Sequence, residues 1–184
     1  MGYTHYWTIH QRFSDQAFAA LASMARRLHD NLPPASRSSG AYYAEEPLVI
    51  RGWDGTGFPE FSSARISFNG DAGRAVEDEY FGQIGLDHET FSMRPADAGF
   101  QCCKTERKPY DLLVQAVMLA AKHVGGEHIT ISSDGAPEDW AEAIAFFRRV
   151  FPRVPDASVE VAVCIPYNPH RQLLNLARDL RQEP

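Results

Sequence analysis

From Pro109 onward the hydrophobic period of the chain switches between helical and extended, and the switch repeats. Leu112, Leu113, Ala116, Val117, Ala120 and Val124 recur at helical spacing from about Pro109 to His123, and Gly125-Gly126 ends the run. His128 to Ser132 reads as a strand. Pro137 then opens a helix at its first position, with Trp140, Ala141, Ile144, Phe147 and Phe151 inward and Pro152 stopping it. Ser158 to Ile165 alternates again, placing Val159, Val161, Val163 and Ile165 on one face, and a last helix spans about His170 to Arg181. Helices alternating with strands in this way imply right-handed crossovers and parallel strands.

The first half adds a different signal. Tyr3 to His10 alternates, with Tyr3, His5, Trp7 and Ile9 sharing one face. A helix is expected from about Ser14 to Asn31, capped by Ser14, with Phe13 stapled against Phe18. Leu48 to Trp53, Ala64 to Asn69, Asp87 to Arg94 and Gly99 to Cys103 read as short strands, with Asp54-Gly55 a turn signal between the first two. Hairpin-like strands imply antiparallel neighbours. Residues 70 to 86 are acidic and read as irregular, and residues 33 to 47 as a surface loop whose contact points are Tyr42 and Tyr43. The expected fold is α/β: one domain over residues 1–184, a mixed parallel and antiparallel sheet and about four packed helices.

Charge and composition narrow the function classes. A formal net charge of −6 argues against broad nucleic-acid binding, which needs a basic face. No apolar run is long enough to cross a bilayer, and the opening MGYTHYWTIH lacks a signal-peptide layout, so a cytoplasmic protein is expected. Cys102, Cys103 and Cys164 form neither a disulfide framework nor a zinc spacing.

Against that acidic background, QCCKTERKPYD at residues 101–111 gathers Lys104, Arg107 and Lys108 where a helix begins. Each exposed cation in a first helical turn costs about 0.3–1 kcal/mol, and Glu106 and Asp111 offset the three only in part. A loop at the carboxyl end of a strand, leading into a helix N-terminus, is a favoured place for anions. One account makes Lys104, Arg107 and Lys108 an anion site for a phosphate, carboxylate or nucleotide, with Arg107 the bidentate ligand. The other makes them solvated cations reaching acidic neighbours such as Glu77, Asp78 and Glu79.

His5 and Glu89 each fall on the apolar face of an expected strand, where an ionisable group needs a partner. As an acid–base pair, His5 would be the base and Glu89 the acid; as structural groups, His5 would bond a backbone carbonyl and Glu89 would pair with Arg107 or Lys104. Cys103 beside Lys104 suggests a lowered thiol pKa, although no cysteine-enzyme signature surrounds it. No H-E-x-x-H or calcium-loop pattern points to a metal, and the glycines of residues 54–61 match no nucleotide-binding motif, so no cofactor is identified.

GYTHYW at residues 2–7 and CKTERKPYD at residues 103–111 resemble segments of a family of bacterial and bacteriophage proteins. The resemblance brings neither an activity nor catalytic residues. Two functions therefore stand as expectations. The first is a domain that binds, and in one version processes, an anionic small molecule such as a nucleotide or phosphorylated metabolite. The second is a non-catalytic module that docks a partner protein through loop 33–47 and exposed aromatics.

Overall fold

A computed structural model describes residues 3–37, 39, 40, 43 and 45–155. Its elements are β1 (Thr4–Ile9), α1 (Asp15–His29), β2 (Glu60–Phe61), β3 (Ile66–Phe68), β4 (Ala75–Asp78), β5 (Gly82–Gly85), β6 (Phe91–Met93), β7 (Gly99–Lys104), α2 (Asp111–Gly125), β8 (Ile129–Ser133) and α3 (Ala141–Val150). They form a mixture of helices and antiparallel sheets. The expected strand over 158–165 and helix over 170–181 lie outside the described residues.

The main sheet has the order β7-β1-β8, and β1 runs antiparallel to both neighbours. β7 and β8 therefore point the same way, joined by α2 as a crossover. This corrects the expectation of parallel neighbours among the described residues. The crossover exists, but β1 occupies the place between its two strands, so no parallel pair forms. Three α-helices are described where about four were expected.

α2 is the centre of the core. Every residue from Asp111 to Ala121 is buried, because DLLVQAVMLAA is apolar almost all round its circumference. It packs against α1, α3 and β8. Each fully buried Leu or Met side chain here is worth about 1.5–3 kcal/mol. α1 presents Phe18, Leu21, Ala22, Ala25 and Leu28 to it, and Ser14 caps α1 by accepting from Ala17 N at 3.2 Å. The Phe13–Phe18 staple also forms, with ring centroids 6.2 Å apart.

A second sheet, β2-β3-β6, joins the first through aromatic rings. Trp7 on β1 meets Phe91 on β6 at 5.1 Å, Phe91 stacks on Phe68 of β3 at 5.1 Å, and Phe68 meets Phe61 at 5.9 Å. Leu48 to Trp53 contributes only an isolated bridge, Arg51 to Asn69, rather than the expected strand. Residues 70 to 86 are not irregular: β4 and β5 make a hairpin. Its turn is fixed by Asp78 Oδ1, which accepts from Tyr80 N and Phe81 N at 2.8 Å each, and by Gly82 at φ 71°. Tyr43 is buried, not an exposed contact point, and Tyr42 lies outside the described residues.

Gly70 leads from β3 into this hairpin under a tight steric limit. A Cβ there would sit 2.0 Å from Leu86 O and 2.9 Å from Tyr110 Cδ1. The carbonyl belongs to backbone, so the clash cannot be relieved by a rotamer change. Gly70→Ala should destabilise by about 3 kcal/mol, at the upper end of overpacking costs. Urea denaturation of both proteins measures this; a loss below about 1 kcal/mol would show that the hairpin base shifts freely.

Candidate functional site

YTHYW at residues 3–7 and CKTERKPYD, nearly a hundred residues apart in sequence, lie side by side. The β1–β7 register places Thr4 opposite Lys104 and His5 opposite Cys103. Beyond Lys104 the chain turns sharply: Thr105 N and Glu106 N both donate to Tyr3 O, at 3.0 and 3.1 Å. Lys108 N closes the turn on Thr105 O at 3.1 Å. Glu106 (φ 54°) and Arg107 (φ 57°) are both left-handed, a conformation costing a non-glycine residue about 1–2 kcal/mol. The turn delivers Asp111 as the first residue of α2, directly against His5.

His5 is fully buried, and its Nε2 lies 2.6 Å from Asp111 Oδ1. Thr105 Oγ1 donates to the same oxygen, and Gln115 Nε2 donates to Oδ2 at 3.2 Å. Gln115 Nε2 also reaches Tyr3 Oη at 3.2 Å. Burial and the nearby Asp111 charge push the Tyr3 hydroxyl far above the usual phenol range. The imidazole sits edge-on to Tyr3 at 5.0 Å and Trp140 at 5.3 Å. Two buried polar atoms, His5 Nδ1 and Gln115 Oε1, have no hydrogen-bond partner. With Asp111 ionised, Nε2–H is the donor, and in the neutral imidazole Nδ1 then keeps a free lone pair. The backbone-carbonyl partner expected for His5 is thus replaced by a carboxylate.

Each cation of the loop has its own partner. Lys104 Nζ lies 2.8 Å from Glu106 Oε1, and that bond lowers the Glu106 carboxyl below its usual range. Arg107 holds Asp139 bidentately, at 2.8 and 2.9 Å, with its guanidinium carbon 3.9 Å from the Tyr3 ring centroid. Lys108 is buried, donates to Asp87 O at 2.5 Å, and has its pKa lowered by burial. The positive charge is therefore compensated, though by Glu106, Asp139 and a carbonyl rather than by Glu77, Asp78 or Glu79.

Glu89 is exposed in a bend before β6, not on a strand face, because β6 begins only at Phe91. Its carboxylate accepts from Lys104 N at 2.6 Å, so it is tied to the backbone of β7 rather than to His5. Cys103 is buried with its thiol pKa pushed well above normal by burial, then by Glu89 and Asp111, opposite to the expected activation. Cys164 is outside the described residues. Among the described residues no group of three or more His, Cys, Asp or Glu is placed to hold a metal. Asp111, Thr105, Gln115, Tyr3 and Asp139 complete the cluster and were not singled out from sequence. Asp111 had the clearest signal, since a buried histidine needs a partner, but an acid at a helix start has an ordinary explanation in the helix dipole.

Asp111→Ala leaves His5 and Thr105 buried without their acceptor and should cost about 3–5 kcal/mol. Arg107→Ala removes a partly exposed ion pair and an aromatic contact, about 1–2 kcal/mol in all. Asp139 has its carboxyl held low by Arg107, so the pair's contribution is present above the unfolded carboxylate value and fades as pH falls through the lower folded one. The stability gap between wild type and Arg107→Ala should thus narrow below about pH 4, to what the Tyr3 contact contributes. A gap that is undiminished or widens in acid would assign Arg107 to packing alone.

The chain matches no protein-family model, no curated protein and no solved structure.

Proposed function

We propose that the protein binds an anionic small molecule, a nucleotide or phosphorylated metabolite, at the carboxyl ends of β7 and β8. Arg107 is the principal ligand, exchanging Asp139 for the incoming anion, and the partly exposed Lys104 adds a second charge. Lys108 anchors the loop through Asp87 O. Where the ligand is also processed, His5, oriented by Asp111, is the proton acceptor through Nδ1. Glu89 fixes the Lys104 backbone from its exposed position.

The observation that carries this proposal is the pair of left-handed residues, Glu106 and Arg107, above a buried histidine with a free nitrogen. Backbone of this kind persists only where its surroundings impose it, and it clusters at binding sites. Unpartnered buried polar atoms point the same way.

Melting temperature and calorimetric titration with inorganic phosphate, a nucleoside monophosphate and a nucleoside triphosphate test the proposal. A bound anion should raise the melting temperature of the wild type. Arg107→Ala should lose about 1.5–3 kcal/mol of affinity. Asp139→Asn should bind more tightly, because the competing carboxylate is gone. Equal binding by wild type and Arg107→Ala would sink the proposal, as would silence from all three anions.

Docking of a partner protein is the second reading. Trp53, Phe58, Tyr80 and Phe81 are 66%, 93%, 78% and 81% exposed, all within residues 53–81. Phe81→Ser separates the two: it should leave anion binding unchanged and weaken docking.

A further inference from the structure

At the opposite end of α2, the carboxyl ends of all three helices surround a cavity of about 480 Å³. That volume is within the range of small-molecule sites. Arg27 comes from the last turn of α1 and His123 from the last turn of α2. Val150 ends α3, and Phe151, Arg153 and Val154 follow it. His123 is separated from Asp111 by roughly 18 Å of helix, so this cavity is distinct from the cluster around His5.

Its chemistry is one-sided. Among the described residues no Asp or Glu lines it, in a chain with 24 acidic and 18 basic residues. Neither Arg27 nor Arg153 has a carboxylate within ion-pairing distance among the described residues, unlike Lys104 and Arg107. Cations near helix carboxyl ends complement the helix dipole, and that accounts for Arg27 being near the end of α1. It does not account for Arg153, which lies beyond the last turn of α3. Nor does it account for His123 Nδ1, which is buried without a hydrogen-bond partner. The remaining surface is apolar. Val150 is buried, Phe151 and Val154 are half-buried, and the Arg27 guanidinium carbon lies 5.2 Å from the Phe151 ring centroid.

We infer that this cavity binds an anionic amphiphile: a carboxylate or phosphate head on a short aliphatic or aromatic body. The head engages Arg27 and Arg153, whose planar N–H groups match paired anionic oxygens, and His123 adds a third polar contact. The body lies on Phe151, Val150 and Val154. Neither half suffices alone. An inorganic anion would gain no apolar burial, and a neutral apolar body would leave both guanidinium groups without a partner.

Calorimetric titration of the full chain at low salt provides the test, with octanoate, octyl phosphate, inorganic phosphate and octylamine as probes. Octanoate or octyl phosphate should bind, and comparing the two identifies the preferred head. Inorganic phosphate and octylamine should bind at least about tenfold more weakly. The double variant Arg27→Gln, Arg153→Gln should lower affinity for the binding probe by about tenfold or more. Arg107→Ala should leave that affinity unchanged, which keeps this outcome separate from the site at the other end of α2. The wild-type probe series judges the inference even if the double variant is unstable. Octylamine binding as tightly as octanoate would reveal a generic apolar surface and overturn it. Binding that survives the double variant, or no binding by any probe, would overturn it equally.

Discussion

The buried pair of His5 and Asp111 joins the parts of the molecule that have least else in common. His5 belongs to the central strand, Asp111 to the first turn of the most buried helix, and Thr105 to the turn between β7 and α2. Removing a carboxylate from water costs several kcal/mol, so the geometry of its partners has to be good. Three donors converge on the Asp111 carboxylate, from His5, Thr105 and Gln115, and the N-terminus of α2 adds favourable partial charge. Because α2 is buried without interruption from Asp111 to Ala121, its position is transmitted to α1, α3 and β8. A polar contact at one end of the helix thus sets the register of an apolar core along its length.

The basic loop makes sense in that frame. Asp111 must follow β7 closely if it is to meet His5, and the short left-handed turn at Glu106 and Arg107 provides the connection. Its conformational cost is offset by contacts that the same turn creates. Arg107 clamps Asp139 while covering Tyr3, and Glu106 meets Lys104 and His88. The three cations are therefore distributed among local acceptors rather than concentrated in one first turn. Ligand binding at Arg107 would have to compete with Asp139. The exchange is most favourable for an anion that matches the carboxylate's two-point geometry and carries more charge.

Strong periodicity was legible in the sequence, and so was chemistry written between near neighbours. The β1 alternation, the Ser14 cap, the Phe13 staple and the course of α2 and β8 all depend on residues close together along the chain. Strand order was not legible, because helix–strand alternation cannot tell whether a third strand lies between two that are linked by a crossover. The β4–β5 hairpin was hidden by its composition: Ala75-Val76-Glu77-Asp78 and Gly82-Gln83-Ile84-Gly85 carry few residues that favour strands. Glu89 was misplaced because the alternating pattern of residues 87–94 extends beyond β6, which keeps only three residues. The need for a His5 partner was readable, but not its identity. Asp111 lies 106 residues away, and no local rule connects them.

What remains is a division of labour along α2. The interior of the helix is committed to packing, since every side chain from Asp111 to Ala121 is enclosed and a change in volume would strain its neighbours. Only the two ends of this helix are therefore open to exchange with solvent. One end carries partnered charges on a strained turn over a buried histidine, an arrangement suited to trading one ion pair for another. The other carries arginines that have no carboxylate partner among the described residues, over an apolar floor, an arrangement that would gain most from a ligand bringing both a charge and a body to bury. The same helix supports both because its ends differ electrostatically as well as sterically. Its N-terminal end is stabilised by the buried acid, and its C-terminal end by the cations around it. An anion bound as proposed would have to displace Asp139 at the first end, whereas at the second it would meet arginines that no carboxylate of the described residues holds.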